Sequence, residues 1–387
     1  LQADGINEGR VGFMSVVVRE VTSQRDRRVF IYLPEKIHEG HKEWLPPLYG
    51  DQKKYFDPAK NPSFKHCDYR MLLAEREGRP VGRILGIVNR KYNEMLGVKN
   101  VRFGFLECYN DPAVSHALIA DIEEWGKRQG MTKCVGPFGF SDRDIQGLLI
   151  QGFEFEPVVD SACNFEYMPE LVTREGYAKE LDCVIYRYPL AKPLPETYDR
   201  IYRRVITRSP FRFLEFSSRK PLKRYIVPVL RLVNVSFHDI YGFVPMDEDE
   251  MFDLAKRYLP ILDPRFIKII TTADDQVIGF MVSMPNMYRG IQKARGRLFP
   301  FGLFHILHAM RHAESINTML GAIHPDYQKR GLDIFLSLAT LYSARKAKMK
   351  NMDTHVVMEE NLAMADEFRR FGADLIKKFR VYQKALV

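Results

Sequence analysis

The stretch His324-Pro325-Asp326-Tyr327-Gln328-Lys329-Arg330-Gly331-Leu332-Asp333 follows an apolar run and opens another one. A strand, a tight loop and a helix start in that order aim free backbone N–H groups and the positive end of a helix at one point, which suits a pyrophosphate. Other candidate chemistry is weaker. His305, His308 and His312 fall on one side of a helix, with the last two at i,i+4, but no acidic partner sits at a useful spacing. They read as the polar face of an amphipathic helix, and no metal site is expected. Five separated cysteines form neither a C-x-x-C pair nor a Cys/His arrangement, so thiol catalysis and a zinc site are not expected.

The elements that would position this loop come in two similar sets. Pro189, Pro193 and Pro195 interrupt regular structure and mark a boundary, giving an N-terminal domain over 14–190 and a C-terminal one over 196–387. The first set reads as strand Val16–Val21, helix Gln24–His38, a hairpin of Tyr69–Glu75 with Val81–Asn89, strand Val101–Tyr109, helix Pro112–Gln129 and strand Lys133–Gly136. The second reads as strand Phe211–Phe216, helix Pro221–Phe237, hairpin Phe266–Thr272 with Gln276–Met284, strand Ile316–His324, helix Gly331–Met349, strand Asp353–Met358, helix Leu362–Phe371 and a last strand near Leu375–Lys384. Val81-Gly82-Arg83-Ile84 aligns with Ile278-Gly279-Phe280-Met281, and Gly176-Tyr177-Ala178 with Gly372-Ala373-Asp374. A duplicated fold with insertions near Pro137–Pro157 and Pro285–Ser315 explains the pattern.

Gln328-Lys329-Arg330-Gly331 resembles the Q/R-x-x-G-x-G/A loop of the GNAT superfamily of acyl-CoA-dependent acyltransferases. Asn361 followed by Ala363, Phe368 and Phe371-Gly372-Ala373 is similar to the asparagine and closing element of the same superfamily. The resemblance implies an α/β (α+β) architecture, a duplicated GNAT-like fold in which each half is a mixed central sheet flanked by helices. It implies an acyl-CoA cosubstrate, acetyl-CoA or longer, held by Gln328, Lys329, Arg330, Gly331, Leu332 and Asn361, with backbone amides near Ala322 and Ile323 for the developing oxyanion. The acceptor would be a small molecule or a lipid-like compound, and the chemistry N-acyl transfer. Asp333 stands where the family has glycine or alanine, and Phe368 where many members place a proton-donating tyrosine; Tyr327, Tyr342 or water would then substitute. For the base, position favours His324, Glu314, Glu359 and Glu360, with His324 first because imidazole titrates near neutrality. The first half lacks the glycine pattern: Asn110-Asp111-Pro112 brings an acid and a proline where N–H donors are needed, so it reads as a degenerate copy and one cofactor site is expected.

Charge and composition bound the alternatives. The chain carries 58 Lys and Arg against 49 Asp and Glu, and ten of the basic residues lie between Arg200 and Arg231 beside the single acid Glu215. No recognition motif accompanies that charge, so nucleic acid is not an expected partner. No apolar run reaches the roughly 18 residues of a membrane span. The cysteine pattern and the polar start suggest a cytoplasmic protein, with Met14 as the true start and residues 1–13 as a remnant ahead of it. Two rival readings are a non-catalytic GNAT-fold ligand-binding protein and a membrane-surface lipid-binding module, the latter resting on Phe299–His312. Phe299, Phe301 and Phe304 are expected to line or cover the acceptor cleft.

Overall fold

Glu77 and Gly78 both take left-handed backbone conformations, φ 49° and 70°, the geometry of a tight hairpin turn whose twist matches the strands it joins. The hairpin continues into a long sheet. The computed structural model describes residues 15–361 and 368–386, apart from the side chain of Arg257. Its strands are β1 (Val17–Glu20), β2 (Cys67–Arg76), β3 (Arg79–Asn89), β4 (Asn100–Cys108), β5 (Lys133–Gly136), β6 (Leu148–Gln151), β7 (Ala178–Pro189), β8 (Arg212–Glu215), β9 (Ile267–Thr271), β10 (Val277–Pro285), β11 (Ser315–Ile323), β12 (Asn351–Thr354), β13 (Val357–Met358) and β14 (Asp374–Ala385). The expected order of elements is present in both halves, and the mixed α/β class holds. Residues 1–14, and most of the expected helix Leu362–Phe371, lie outside the described residues.

The two halves do not keep separate sheets. One path runs β1-β2-β3-β4-β5-β14-β7-β12-β11-β10-β9-β8, with β6 paired to β14 and β13 paired to β7. The last strand of each half has crossed over: β14 adds to β5, and β7 adds to β12 and β13. The two exchanged strands then pair antiparallel with each other. β4–β5 and β11–β12 are the parallel pairs, at matching places in the two halves.

Helices cover this sheet where their apolar faces dictate. Pro112–Arg128 starts at Asp111, whose side chain accepts from the Ala113 amide, and buries Val114, Leu118, Ile122 and Trp125. Its counterpart, Leu332–Lys346, buries Leu332, Phe335, Leu336 and Ala339. The helix expected over Pro221–Phe237 is broken, with Lys223–Tyr225 in a 3₁₀ turn between two α-helical pieces. The helix Glu248–Tyr258 was not anticipated, although Asp247 and Glu250 form a reciprocal capping box.

Two forked ion pairs fasten the exchange. Arg187 of β7 reaches Asp353 of β12 through Nε and Nη2, each at 2.8 Å, and Asp353 is fully buried. Arg380 of β14 holds Asp182 of β7 at 2.7 and 2.9 Å. Burial pushes the Asp353 carboxyl up despite Arg187, whereas Arg380 and Lys179 outweigh burial at Asp182 and hold it down. Replacing Arg187 by alanine leaves Asp353 buried and unpaired, an expected loss of about 3–5 kcal/mol. Urea denaturation should show that loss as one transition shared by both halves; two separate transitions, with only one moved, would contradict a fold locked through the exchange.

Candidate functional site

The opening of the second half begins where a ladder stops. β11 and β12 pair in parallel from Ser315↔Asn351 to Thr318↔Thr354, and the last bond is donated by the His355 amide to the Thr318 carbonyl at 3.0 Å. Beyond it the strands part: β13 stays with β7, as β12 does, while β11 stays with β10. A cavity of about 660 Å³ occupies the gap, a size suited to a small-molecule ligand.

Strand alternation decides which backbone groups face this gap. The His324 amide donates to the Ile278 carbonyl, so the hydrogen-bonded positions toward β10 are 324, 322 and 320. The Ala322 amide is therefore committed to β10 and cannot serve a ligand in the gap. Those of Gly321 and Ile323 face the open side, in keeping with the 3.4 Å contact from Gln328 Nε2 to the Ile323 carbonyl. A bulge opposite Val282 and Ser283 leaves Met319 outside the ladder register.

Most of the cavity wall is apolar. Val229, Leu230 and Val233 of helix Ile226–Ser236, with Phe243, Leu254 and Phe280, form much of that wall. Polar side chains line it as well. His355 stands in the two-residue break between β12 and β13, and its buried Nε2 has no hydrogen-bond partner among the described residues. Burial lowers its proton affinity, partly opposed by Asp160 and by a hydrogen bond to the Val159 backbone, so the ring is held neutral. Asp142 also lines the cavity with a buried Oδ1 lacking a partner among the described residues; burial pushes its carboxyl up.

Asp142 belongs to the first half. Its loop, residues 137–147, spans the break between β5 and β6, the position that His355-Val356 occupies in the second half. The loop crosses to the second half, where the Asp142 amide donates to the Gly242 carbonyl and Arg143 to the Val244 carbonyl. Gly242, at φ 79°, lies so close that a Cβ would sit 2.1 Å from the Phe138 ring. The same loop fills the gap of its own half. Phe138 is fully buried, its amide bonded to the Phe103 carbonyl, and a Cβ at Gly104 would be 2.8 Å from the Phe138 carbonyl.

The phosphate-type loop lies at the mouth. Lys329 and Gly331 adopt left-handed conformations, φ 60° and 77°, and Gly331 caps the helix Leu332–Lys346. The first intrahelical bond comes from Phe335 to the Gly331 carbonyl, so the amides of residues 332–334 precede the ladder. Asp333 is exposed in the first turn, beside the positive helix end. Helix Glu196–Arg208 runs alongside, with Ile201 and Val205 nearest Gly331 and the exposed Arg204 and Arg208 three positions further along. By contrast, Asp111 in the first half is occupied as a cap and paired with Arg76 at 2.8 Å.

The expected site residues divide. Ile323, Gln328, Ala322 and Asn361 border the cavity, as does Phe368, which stacks on Tyr186 at 5.1 Å. Lys329, Arg330, Gly331 and Leu332 form the adjoining loop and helix start; Arg330 donates to the Asp326 carbonyl. His324 is not among the lining residues: its Nδ1 accepts from the Asp326 amide and caps a 3₁₀ turn. Tyr327 packs against Phe211 and beneath Arg330. Tyr342 donates to Asp199. Glu314 sits at the far end of β11, paired with Lys350 at 2.5 Å and held in its ionised form by it. Glu359 is 2.6 Å from Lys378. Phe299, Phe301 and Phe304 also fall outside the lining, because their segment turns Ile306 and Met310 inward instead. His355 was missed because Asp353–Met358 reads as one uninterrupted strand.

Comparison with known proteins places this architecture. No protein-family model matches the chain. It is 28% identical over 374 residues to a bacterial ceramide synthase of Caulobacter vibrioides, covering 95% of this chain and 96% of the relative. It is 26% identical over 381 residues to the protein YghO of Escherichia coli, covering 96% and 95%. Among solved structures, a tandem GNAT protein from the clavulanic acid biosynthesis pathway superposes with a TM-score of 0.56 at 12% identity, over 96% of this chain and 99% of that one. A GCN5-related N-acetyltransferase from Sphaerobacter thermophilus gives 0.51 at 10% identity, over 96% of each chain. With its paired halves, parted parallel strands and glycine-capped loop, this chain is a tandem GNAT-fold protein.

Proposed function

We propose that the protein is an acyl-CoA-dependent N-acyltransferase whose acceptor is a lipid-like amine. The observation that carries this reading is the cavity: two buried side-chain atoms without a partner among the described residues, His355 Nε2 and Asp142 Oδ1, lie in a lining that is otherwise largely apolar. A ceramide is the amide of a fatty acid with a long-chain amino alcohol, so the relative's name agrees with a chamber of that character. The domain division at 190–196 remains part of the proposal, with cofactor binding assigned to the second half.

Acyl-CoA supplies the activated acyl group. Gly331 and the amides of Leu332, Asp333 and Ile334 would hold its pyrophosphate, with Arg204 and Arg208 adding positive charge and Gln328 and Asn361 bordering the passage to the gap. His355 takes the proton from the acceptor amine as nitrogen bonds to the acyl carbon and the thiolate departs. The amides of Gly321 and Ile323 face the side on which negative charge develops on the acyl oxygen. Asp142 hydrogen-bonds the acceptor's hydroxyl or amino head. His355 replaces His324 as the proposed base because it lines the cavity and offers a buried, neutral nitrogen.

Mass spectrometry of products from acyl-CoAs of graded length, offered with long-chain amino alcohols and with small polar amines, tests the reading. Amide formation favouring long-chain acceptors is expected. Melting-temperature rises with CoA but no product from any amine would favour the non-catalytic alternative.

Gly331→Val should abolish CoA binding, since the left-handed backbone disfavours a β-branched side chain and its Cβ would lie 3.2 Å from Ile201. Calorimetric titration of the native protein should give one CoA per chain; two, or unaltered binding by Gly331→Val, would refute the single-site assignment.

His355→Gln should lower kcat by about 10²–10⁴-fold with CoA affinity retained. The lowered proton affinity of His355 keeps it neutral at pH 7, so native activity should be flat above about pH 6.5 and fall in acid. By linkage its contribution to stability is full above that pH and erodes below it, because the unfolded chain binds the proton more readily. An acid limb that persists unchanged in the residual activity of His355→Gln would reject this assignment.

A further inference from the structure

The insertion between β10 and β11 carries the most exposed large apolar side chains among the described residues. Phe299, Phe301 and Phe304 are 86%, 70% and 66% exposed, and Leu298, Leu303 and Leu307 are exposed beside them. Single exposed hydrophobes need no explanation, but a contiguous set of this size marks a contact surface. The segment is not loose. Gln292 Nε2 donates to the carbonyls of Lys42 and Trp44 at 2.6 and 2.7 Å, and the Tyr49 amide donates to the Gly296 carbonyl at 2.9 Å. Arg297 forks onto Glu35 at 2.8 Å through both terminal nitrogens. Gly296, at φ 68°, approaches so closely that a Cβ would lie 2.2 Å from the Pro47 carbonyl oxygen. The base of the protrusion is thus clamped to the first half, while the residues from Leu298 to Phe304 stand out from it.

Its charge is equally specific. From Pro285 to Ala313 there are five arginines and lysines and no aspartate or glutamate. Lys293, Arg295 and Arg311 are exposed and make no ion pair among the described residues. A groove of about 250 Å³ adjoins the helix, lined by Arg289, Lys293, His305, His308 and His312. Its acidic members are already engaged, Glu156 with Arg289 and Glu314 with Lys350.

We propose that helices Tyr288–Lys293 and Gly302–Arg311 form a docking face for an anionic bilayer, in which Phe299, Phe301 and Phe304 enter the headgroup–acyl boundary and the surrounding cations engage lipid phosphates. A second copy of the chain is a poorer occupant, because a symmetric contact would set like-charged faces together, the acids beside them being already paired within their own chain. No described helix is long and apolar enough to cross the membrane, so the contact is one of surface docking. On its inner side the helix Gly302–Arg311 places Ile306 and Met310 in the same apolar cluster as Val229, Phe280 and Met284 of the cavity wall, so docking would bring that chamber one helix layer from the lipid. The inference stands apart from the acyltransferase reading, because it uses no residue of the cofactor loop and no turnover.

The test is co-sedimentation of the full chain with phosphatidylcholine vesicles, with and without phosphatidylglycerol. Native protein should bind the anionic vesicles and release with added salt. The double substitution Phe299→Ser/Phe304→Ser, at exposed positions, should keep the native melting temperature and circular dichroism yet lose about tenfold or more in partitioning. Lys293→Glu/Arg295→Glu should lose the preference for phosphatidylglycerol. Absence of native binding, equal binding by the serine variant, or a concentration-dependent dimer that Phe299→Ser abolishes would each overturn the proposal.

Discussion

The pairing of β7 with β14 is the contact on which the rest of the molecule depends. Each strand ends one half of the chain yet completes the sheet of the other, so neither half has a finished edge without its partner. The forked pairs Arg187–Asp353 and Arg380–Asp182 lie on or beside these exchanged strands and fix their register by charge as well as by backbone bonds. β13 exists because of the exchange as well. It pairs only with β7, and its departure from β11 opens the gap.

The duplicated halves use the same break in opposite ways. Between β5 and β6 the first half inserts a loop whose Phe138 fills its own gap, while Asp142 and Arg143 reach over to the other half. Between β12 and β13 the second half inserts only His355 and Val356, leaving the gap open with an imidazole at its border. The loop of one half thus forms part of the cavity wall of the other. The helix caps differ as well: Asp111 caps its own helix start with its side chain, whereas Gly331 makes no side-chain cap bond.

Local features were readable from sequence because their causes are local. Asp111-Pro112 announces a helix start, Glu77-Gly78 a tight turn, and the spacing of Val114, Leu118, Ile122 and Trp125 a buried face. The loop at Gln328–Gly331 was readable for the same reason. The strand exchange was not, since nothing in Ala178–Pro189 or Asp374–Ala385 states which half's edge it will join; that choice rests on pairings about 200 residues apart, such as Asp182 with Arg380. His355 was hidden by its surroundings, because Asp353–Met358 has the composition of a single strand and the break within it falls where the ladder to β11 ends while pairing with β7 goes on. Helix Gly302–Arg311 was legible as amphipathic, but its sides were not: Ile306 and Met310 turn inward, and the phenylalanines that looked suited to a cleft remain outside.

The placement of β14 also has a consequence for biosynthesis. Residues near the C-terminal end of the described chain supply a strand to the sheet begun by β1 to β5, so the first half to leave a ribosome is the half that must wait longest for its final neighbour. Until β14 emerges, β5 has an open flank and Leu149 and Val135 lack the cover of Phe379 and Val381. Nascent chains of this architecture carry an unfinished apolar edge from the synthesis of β5 until that of β14, an interval set by the length of the second half.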